Sequence, residues 1–159
     1  MRFLLIGHGA LYDEVLAEVR RLGIEENFVF AGLIDRERIP DMISAMDVVA
    51  HTALWEGLPR VLPQAMAMGK PCVSFDVDGT SEVLIDGKTG YLVKTHDSAA
   101  LAEAISNLLD DKALREEMGA NGRRHVDPNF RAEKMVADIS DVYQVLIERF
   151  PKRLEAFGR

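Results

Sequence analysis

Residues 47–75 decide the fold class, and they read DVVAHTALWEGLPRVLPQAMAMGKPCVSF. The aliphatic run at 47–51 predicts a strand, and the run at 71–75 predicts a second one. Between them the apolar spacing predicts a helix from about Pro59 to Met68, which Gly69 ends. A strand, a helix and a strand in this order form a βαβ unit, whose two strands run parallel.

The same alternation of strands and helices extends in both directions from this unit. Further strands are predicted at 3–6, 28–30 and 91–93, and further helices at 11–22, 36–46, from 97 or 98 to about 108, 111–124 and 131–149. We therefore predict an α/β fold with a mainly parallel sheet and helices on both faces.

Length, charge and cysteine content exclude several classes of protein. A chain of 159 residues can bury one core but is too short for two full domains. Its net charge of −7 argues against a nucleic-acid binder, and its single cysteine excludes an internal disulfide. No apolar run is long enough for a membrane span, and the N-terminal run is too short for a signal peptide. These features predict a soluble, cytoplasmic protein.

The segment between the first predicted strand of the βαβ unit and its helix carries the candidate site. Pro59 and Pro63 fit the first turn of a helix, where backbone N–H groups have no intrahelical partner. Such a helix end binds anions such as phosphate. Glu56 precedes it and can accept hydrogen bonds from sugar hydroxyls, while the Gln64 amide can donate and accept. The pattern predicts recognition of sugar, phosphate and ribose.

Residues 2–150 resemble the C-terminal, donor-binding domain of the group 1 (family 4) retaining glycosyltransferases of the GT-B type. The motifs that carry the resemblance, in order, are LLIGHG at 4–9, FAGLI at 30–34, DVV at 47–49, EGLP at 56–59, AMAMGKP at 65–71, DVDG at 76–79, EV at 82–83 and DGKTGYLV at 86–93. The resemblance implies a Rossmann-like domain over 1–150 that binds a nucleotide-sugar donor and needs neither a metal nor another cofactor.

The resemblance also implies roles for individual residues. Glu56 matches the catalytic glutamate that contacts hydroxyls of the transferred sugar. The segment Gly57, Leu58 and Pro59, which Arg60 and Val61 continue, matches the part that meets the sugar and the diphosphate. At the end of the second predicted strand, Gly32, Leu33 and Ile34 match the stretch that lies against the nucleobase.

Two departures from the family pattern matter. The second glutamate of the family motif, which contacts the ribose, is Gln64 here, so either an amide replaces the carboxylate or Gln64 is a surface residue. The sequence also begins at what resembles the second strand of the domain. The first strand is therefore missing, together with its cationic residues and the N-terminal Rossmann-like domain that binds the acceptor. Arg60 either replaces the missing cations or is a solvated helix residue. The resemblance implies the donor-binding part of an enzyme, inactive alone.

Two other functions stay open at this stage. The chain could be a non-catalytic nucleotide-binding or interaction module that lacks the acceptor domain. A sugar-nucleotide epimerase shares the two-domain architecture, although the segment from Glu56 to Gln64 is not expected in one.

His51, His96 and His125 are expected to be structural or exposed, and Cys72 is expected to be a small buried hydrophobe. Residues 151–159 form a basic tail for which membrane contact is conceivable and solvation is the default. Part of the apolar content is expected to be surface that meets a missing domain.

Overall fold

The computed structural model describes residues 1–150. Within it the chain forms two compact units, one spanning Met1–Asp47 and the other beginning at Val48. The units are described separately below. The prediction of a single nucleotide-sugar-binding domain over 1–150 stays a prediction, and the predicted basic tail at 151–159 lies outside the described residues.

The first unit is built on two parallel strands, β1 (Phe3–Ile6) and β2 (Phe28–Gly32). Helix α1 (Tyr12–Arg21) connects them, and α2 (Ile39–Ser44) follows β2. Phe3 pairs with Phe28 in the register, so their rings stack with centroids 4.7 Å apart. The aromatic and β-branched residues of both strands thus form the predicted parallel pair.

The second unit contains three parallel strands in the order β3-β4-β5, namely β3 (Val49–His51), β4 (Cys72–Phe75) and β5 (Gly90–Val93). Its helices are α3 (Val61–Ala67), α4 (Thr80–Val83), α5 (Ser98–Asp110), α6 (Lys112–Asn129) and α7 (Ala132–Arg149). The predicted α/β class with parallel strands is confirmed. The five strands of the described residues belong to two sheets, one in each unit, whereas the sequence predicted one mainly parallel sheet.

The core of the second unit lies between its sheet and α5 and α6. Val73 and Leu108 are completely buried, and Met118 joins them from α6. Helix α6 packs closely against the residues that follow α3. A Cβ at Gly119 of α6 would lie 2.0 Å from the carbonyl oxygen of Gly69, two residues after the end of α3. Burial of these apolar groups is the main contribution to the stability of the second unit. It also holds in place the strands whose ends carry the candidate site.

Helix α7 differs from the other long helices because none of its residues is buried. Its exposed apolar side chains are Met135, Val136, Ile139, Val142, Tyr143, Val145, Leu146 and Ile147. Exposed apolar surface is therefore present as expected, whereas the domain expected to cover it stays a prediction. None of the helices in residues 1–150 combines the length and apolar character needed to cross a membrane.

Candidate functional site

The candidate site lies on the connection between β3 and α3, which carries Glu56. Its carboxylate is partly accessible, with 36% of the side-chain surface exposed. Oε1 of Glu56 lies 3.3 Å from Nε2 of His51, the last residue of β3. The segment therefore presents an acidic group to solvent while the sheet holds one of its oxygens.

The strand register explains the position of His51. In the parallel pairing of β3 and β4, His51 lies opposite Ser74, and its Nδ1 is 3.2 Å from the Ser74 hydroxyl oxygen. Ser74 is completely buried, and the His51 side chain is 11% exposed. Both ring nitrogens therefore have polar partners, and a chain of contacts runs from buried Ser74 through His51 to Glu56.

A second connection, between β4 and α4, holds the backbone on either side of the Glu56 side chain. The Glu56 N–H donates to a carboxylate oxygen of Asp78 at 3.0 Å, and the Gly79 N–H donates to the carbonyl oxygen of Gly57 at 3.1 Å. There is no room for a side chain at Gly79, where a Cβ would lie 2.2 Å from that carbonyl oxygen. The loops after β3 and β4 thus fix each other.

Thr80 gives the loop after β4 its shape. Its buried hydroxyl accepts a hydrogen bond from the Val77 N–H at 3.0 Å and donates one to the Val77 carbonyl oxygen at 2.7 Å. The hydroxyl is the partner of the Val77 N–H, and it is a second donor to the Val77 carbonyl oxygen, which also accepts from the Thr80 N–H at 2.9 Å. The resulting turn places Asp78 and Gly79 against the Glu56 segment.

We expect Thr80→Val to lower the free energy of unfolding by about 2 kcal/mol, because it leaves the Val77 N–H without its partner. Thr80→Ser keeps the hydroxyl, so it is expected to cost less than half as much. Urea unfolding of the two variants and the original chain measures the difference. A loss for Thr80→Ser as large as the loss for Thr80→Val would contradict this, because the methyl group would then contribute as much as the hydroxyl.

Helix α3 begins later than predicted. Its first residue is Val61, whereas the sequence predicted a start close to Pro59. Pro59 is buried just before the helix, and its carbonyl oxygen accepts from the Leu62 N–H at 3.1 Å. The prediction was wrong by two residues because Pro59 fits equally well in the turn that leads into a helix. The helix has seven residues, and Pro63 falls in its first turn, as expected.

The other predicted site residues lie in two places. In the second unit, Gly57, Leu58, Arg60 and Gln64 are exposed, and Val61 is partly buried. In the first unit, Gly32, Leu33 and Ile34 form the end of β2 and the residues after it. Leu33 is 81% exposed, and Gly32 adopts a positive φ of 66°, which favours glycine.

Three residues that hold Glu56, directly or through a neighbour, were not predicted from the sequence. His51 was expected to be structural or exposed, yet it contacts the Glu56 carboxylate directly. Ser74 was treated only as a strand residue, and Asp78 only as part of a motif. Their polar side chains at the carboxyl ends of β3 and β4 are the signal that could have revealed them, because parallel strands place such ends along one sheet edge.

Cys72 is buried on β4, as predicted, and burial raises the pKa of its thiol to about 12. We expect iodoacetamide to leave Cys72 unmodified in the folded chain at mildly alkaline pH, since the thiolate is the reactive form. Unfolding in urea should make it reactive, as mass spectrometry would show.

The raised pKa of Cys72 also makes stability depend on pH, because in the unfolded chain the thiol ionises near its ordinary pKa of 9.0. Its contribution to stability is therefore complete below pH 9.0 and is lost as the pH rises toward 12. Alkylation of Cys72 as fast in the folded chain as in the unfolded chain would contradict the protection of the thiol by burial.

The described residues contain no cluster of three or more histidine, cysteine, aspartate or glutamate side chains that could hold a metal ion. What the arrangement offers is hydrogen bonding: an accessible carboxylate, an exposed guanidinium at Arg60 and an exposed amide at Gln64. These groups suit a polar, hydroxyl-rich and anionic ligand.

Comparison with known proteins identifies the family. Residues 1–125 match the family model described as glycosyl transferases group 1, and the chain belongs to this family. It is 32% identical over 142 residues to N-acetyl-alpha-D-glucosaminyl L-malate synthase of Bacillus anthracis, a match that covers 89% of the chain and 37% of that protein. The chain therefore spans well under half the length of this curated relative.

Two solved structures show the same fold. The Anabaena protein HepE in complex with UDP and glucose matches with a TM-score of 0.84 and 26% identity, over 91% of this chain and 41% of HepE. The C-terminal domain of a glycosyl transferase group 1 family protein from Francisella tularensis matches with a TM-score of 0.70 and 26% identity, over 76% of this chain and 62% of that domain. The fold is thus that of a domain of GT-B glycosyltransferases.

Proposed function

We propose that this chain is the donor-binding part of a retaining, family 4 glycosyltransferase, which transfers a sugar from a nucleotide-diphosphate donor. The observation that carries the proposal is the Glu56 carboxylate, held at the sheet edge by His51 while more than a third of its side chain stays accessible. Family membership and the UDP bound to the similar HepE structure support the same class of ligand.

In the proposed mechanism Glu56 orients the sugar. A carboxylate accepts hydrogen bonds from two neighbouring hydroxyls and so fixes the sugar ring relative to the diphosphate. The bond between the anomeric carbon and the diphosphate oxygen breaks, and its electron pair leaves with the diphosphate. An acceptor hydroxyl oxygen bonds to the same carbon on the same face, and its proton passes to the departing diphosphate.

The remaining site residues would hold the nucleotide. Gly57, Leu58, Pro59 and Val61 offer backbone to the diphosphate, and the exposed Arg60 guanidinium offers charge-assisted hydrogen bonds to it. The Gln64 amide would contact the ribose hydroxyls. The exposed end of β2, at 32–34, would contact the nucleobase. We propose that this binding needs no metal and no further cofactor, so that chelation with EDTA leaves nucleotide affinity unchanged.

We further propose that an N-terminal Rossmann-like domain supplies the acceptor site. The chain covers 37% of its Bacillus anthracis relative, and the acceptor, a glycan, lipid or small molecule, would bind to the remainder. Under this proposal the chain alone binds the donor in the cytoplasm but transfers little or no sugar.

Calorimetric titration of the chain with UDP and with GDP tests the proposal and identifies the donor class. Binding of one of them supports a donor site. If neither binds at millimolar concentration, the chain is not a donor-binding domain. A chain that binds nucleotide but has no transferase activity after an acceptor domain is joined to it would instead be a non-catalytic nucleotide-binding module.

A further inference from the structure

We propose that His51 is a positioning residue, which fixes the Glu56 carboxylate in the orientation that receives the sugar. This role rests on the proposed function, because it matters for a donor only if Glu56 contacts the sugar. Neither the family pattern quoted above nor the spacing of residues around Glu56 assigned a role to His51.

The hydrogen-bond partners of the His51 ring show which of its nitrogens is protonated. A carboxylate only accepts, so the His51 nitrogen that faces Glu56 has to donate, which places a proton on Nε2. The other nitrogen, Nδ1, lies 3.2 Å from the hydroxyl of buried Ser74. Ser74 lies within 3.0 Å of the Phe75 carbonyl oxygen, to which its hydroxyl can donate, or it can turn and donate to Nδ1.

Both arrangements of Ser74 give the same result at Glu56. If Ser74 donates to Phe75, Nδ1 also donates and the ring is a charged imidazolium. If Ser74 donates to Nδ1, the ring is the neutral tautomer protonated at Nε2. In each case an N–H from a nearly buried ring engages Oε1 of Glu56.

The consequence for Glu56 is that one of its oxygens is held and the other is available. Oε1 has His51 as its partner, while Oε2 makes no hydrogen bond within the described part of the chain. The backbone N–H of Glu56 is held by Asp78. A glutamate fixed at both its backbone and its carboxylate loses less side-chain entropy when a sugar binds, because that entropy is already lost.

Two substitutions of His51 distinguish the contact that Nε2 makes with Glu56 from the contact that Nδ1 makes with Ser74. The amide nitrogen of glutamine reaches about as far as Nε2, so His51→Gln keeps a donor for Glu56. The amide of asparagine is one carbon shorter and reaches Ser74 but not Glu56. The pair therefore changes the contact with Glu56 while both side chains remain polar and neutral.

The test is calorimetric titration of the full chain, and of these two variants, with UDP and UDP-glucose and with GDP and GDP-mannose. We expect His51→Asn to weaken binding of the sugar nucleotide about tenfold, roughly what one hydrogen bond to a charged group contributes. Its affinity for the nucleoside diphosphate should change less than twofold, and His51→Gln should restore most of the sugar-nucleotide affinity. In a Glu56→Ala background, which has no side-chain acceptor for His51, His51→Asn should have no further effect.

Three results would overturn the role. They are equal weakening of sugar nucleotide and nucleoside diphosphate by His51→Asn, unchanged binding in that variant, and a loss that persists in the Glu56→Ala background. Circular dichroism melting of each variant identifies a general folding defect, and failure of both variants to fold would show a structural role for His51. If the original chain binds neither nucleotide pair, the proposed function fails and this role fails with it. Normal nucleotide binding that is insensitive to His51→Asn overturns the positioning role alone.

Discussion

Replacing Glu56 by alanine is expected to reduce sugar transfer by about 100-fold or more. The measurement uses a polypeptide in which this chain is joined to its acceptor-binding domain. The reason is the loss of two hydrogen bonds that sugar hydroxyls donate to a charged acceptor, each contributing about 1.5–3 kcal/mol. Because Glu56 lies on an accessible loop and its side chain is not in the core, the fold should be unaffected.

Initial rates of transfer, measured with donor well below its KM so that they report kcat/KM, give this reduction. Glu103→Ala, on the exposed side of α5, is the control and should leave the rate unchanged. A Glu56→Ala enzyme that keeps near-normal turnover would show that the carboxylate does not orient the sugar. Glu56→Gln keeps the shape but loses the charge, so its rate separates hydrogen-bond geometry from electrostatic contribution.

Gly79→Ala is expected to reduce both stability and sugar-nucleotide binding strongly, because it forces apart the loop after β3 and the loop after β4. An added Cβ would lie 2.2 Å from the Gly57 carbonyl oxygen, and that neighbour is backbone and cannot rotate away. We expect the free energy of unfolding to fall by about 3 kcal/mol, at the upper end of the usual cost of overpacking. We also expect sugar-nucleotide binding to be lost, since the loop that carries Glu56 has to move.

Urea unfolding and calorimetric titration measure the two parts of this prediction. Gly9→Ala serves as the control, because a Cβ at Gly9 meets nothing within 4 Å, and its stability should change by less than about 1 kcal/mol. Full stability of Gly79→Ala would show that the two loops separate without cost. They would then not fix the position of Glu56.

Local sequence patterns were sufficient to predict the elements of the fold. The β-branched and aliphatic runs located the five strands of the described residues, and of the two predicted starts of α5 the structure has Asp97 as the cap, where it accepts from the Ala100 N–H. The start of α3 was less certain because two prolines fit both a turn and a first helical turn.

The candidate site was predicted in part. Glu56 and its segment were identified because proline, glycine and an acidic residue before a helix form an unusual local pattern. His51 was not, because its role depends on Ser74, which is 23 residues away in the sequence and becomes its neighbour through the register of β3 and β4. Asp78 likewise reaches Glu56 only when two loops meet. Such contacts depend on strand pairing, which local periodicity does not specify.

A crystal structure of the chain with a bound sugar nucleotide, chosen by the titrations with UDP and GDP, is the sharpest test of the proposed role of Glu56. We expect a Glu56 carboxylate oxygen to lie about 3 Å from a hydroxyl of the sugar, with His51 still donating to the other oxygen. A sugar bound with no contact to Glu56, in a complex where the nucleotide is fully occupied, would contradict it.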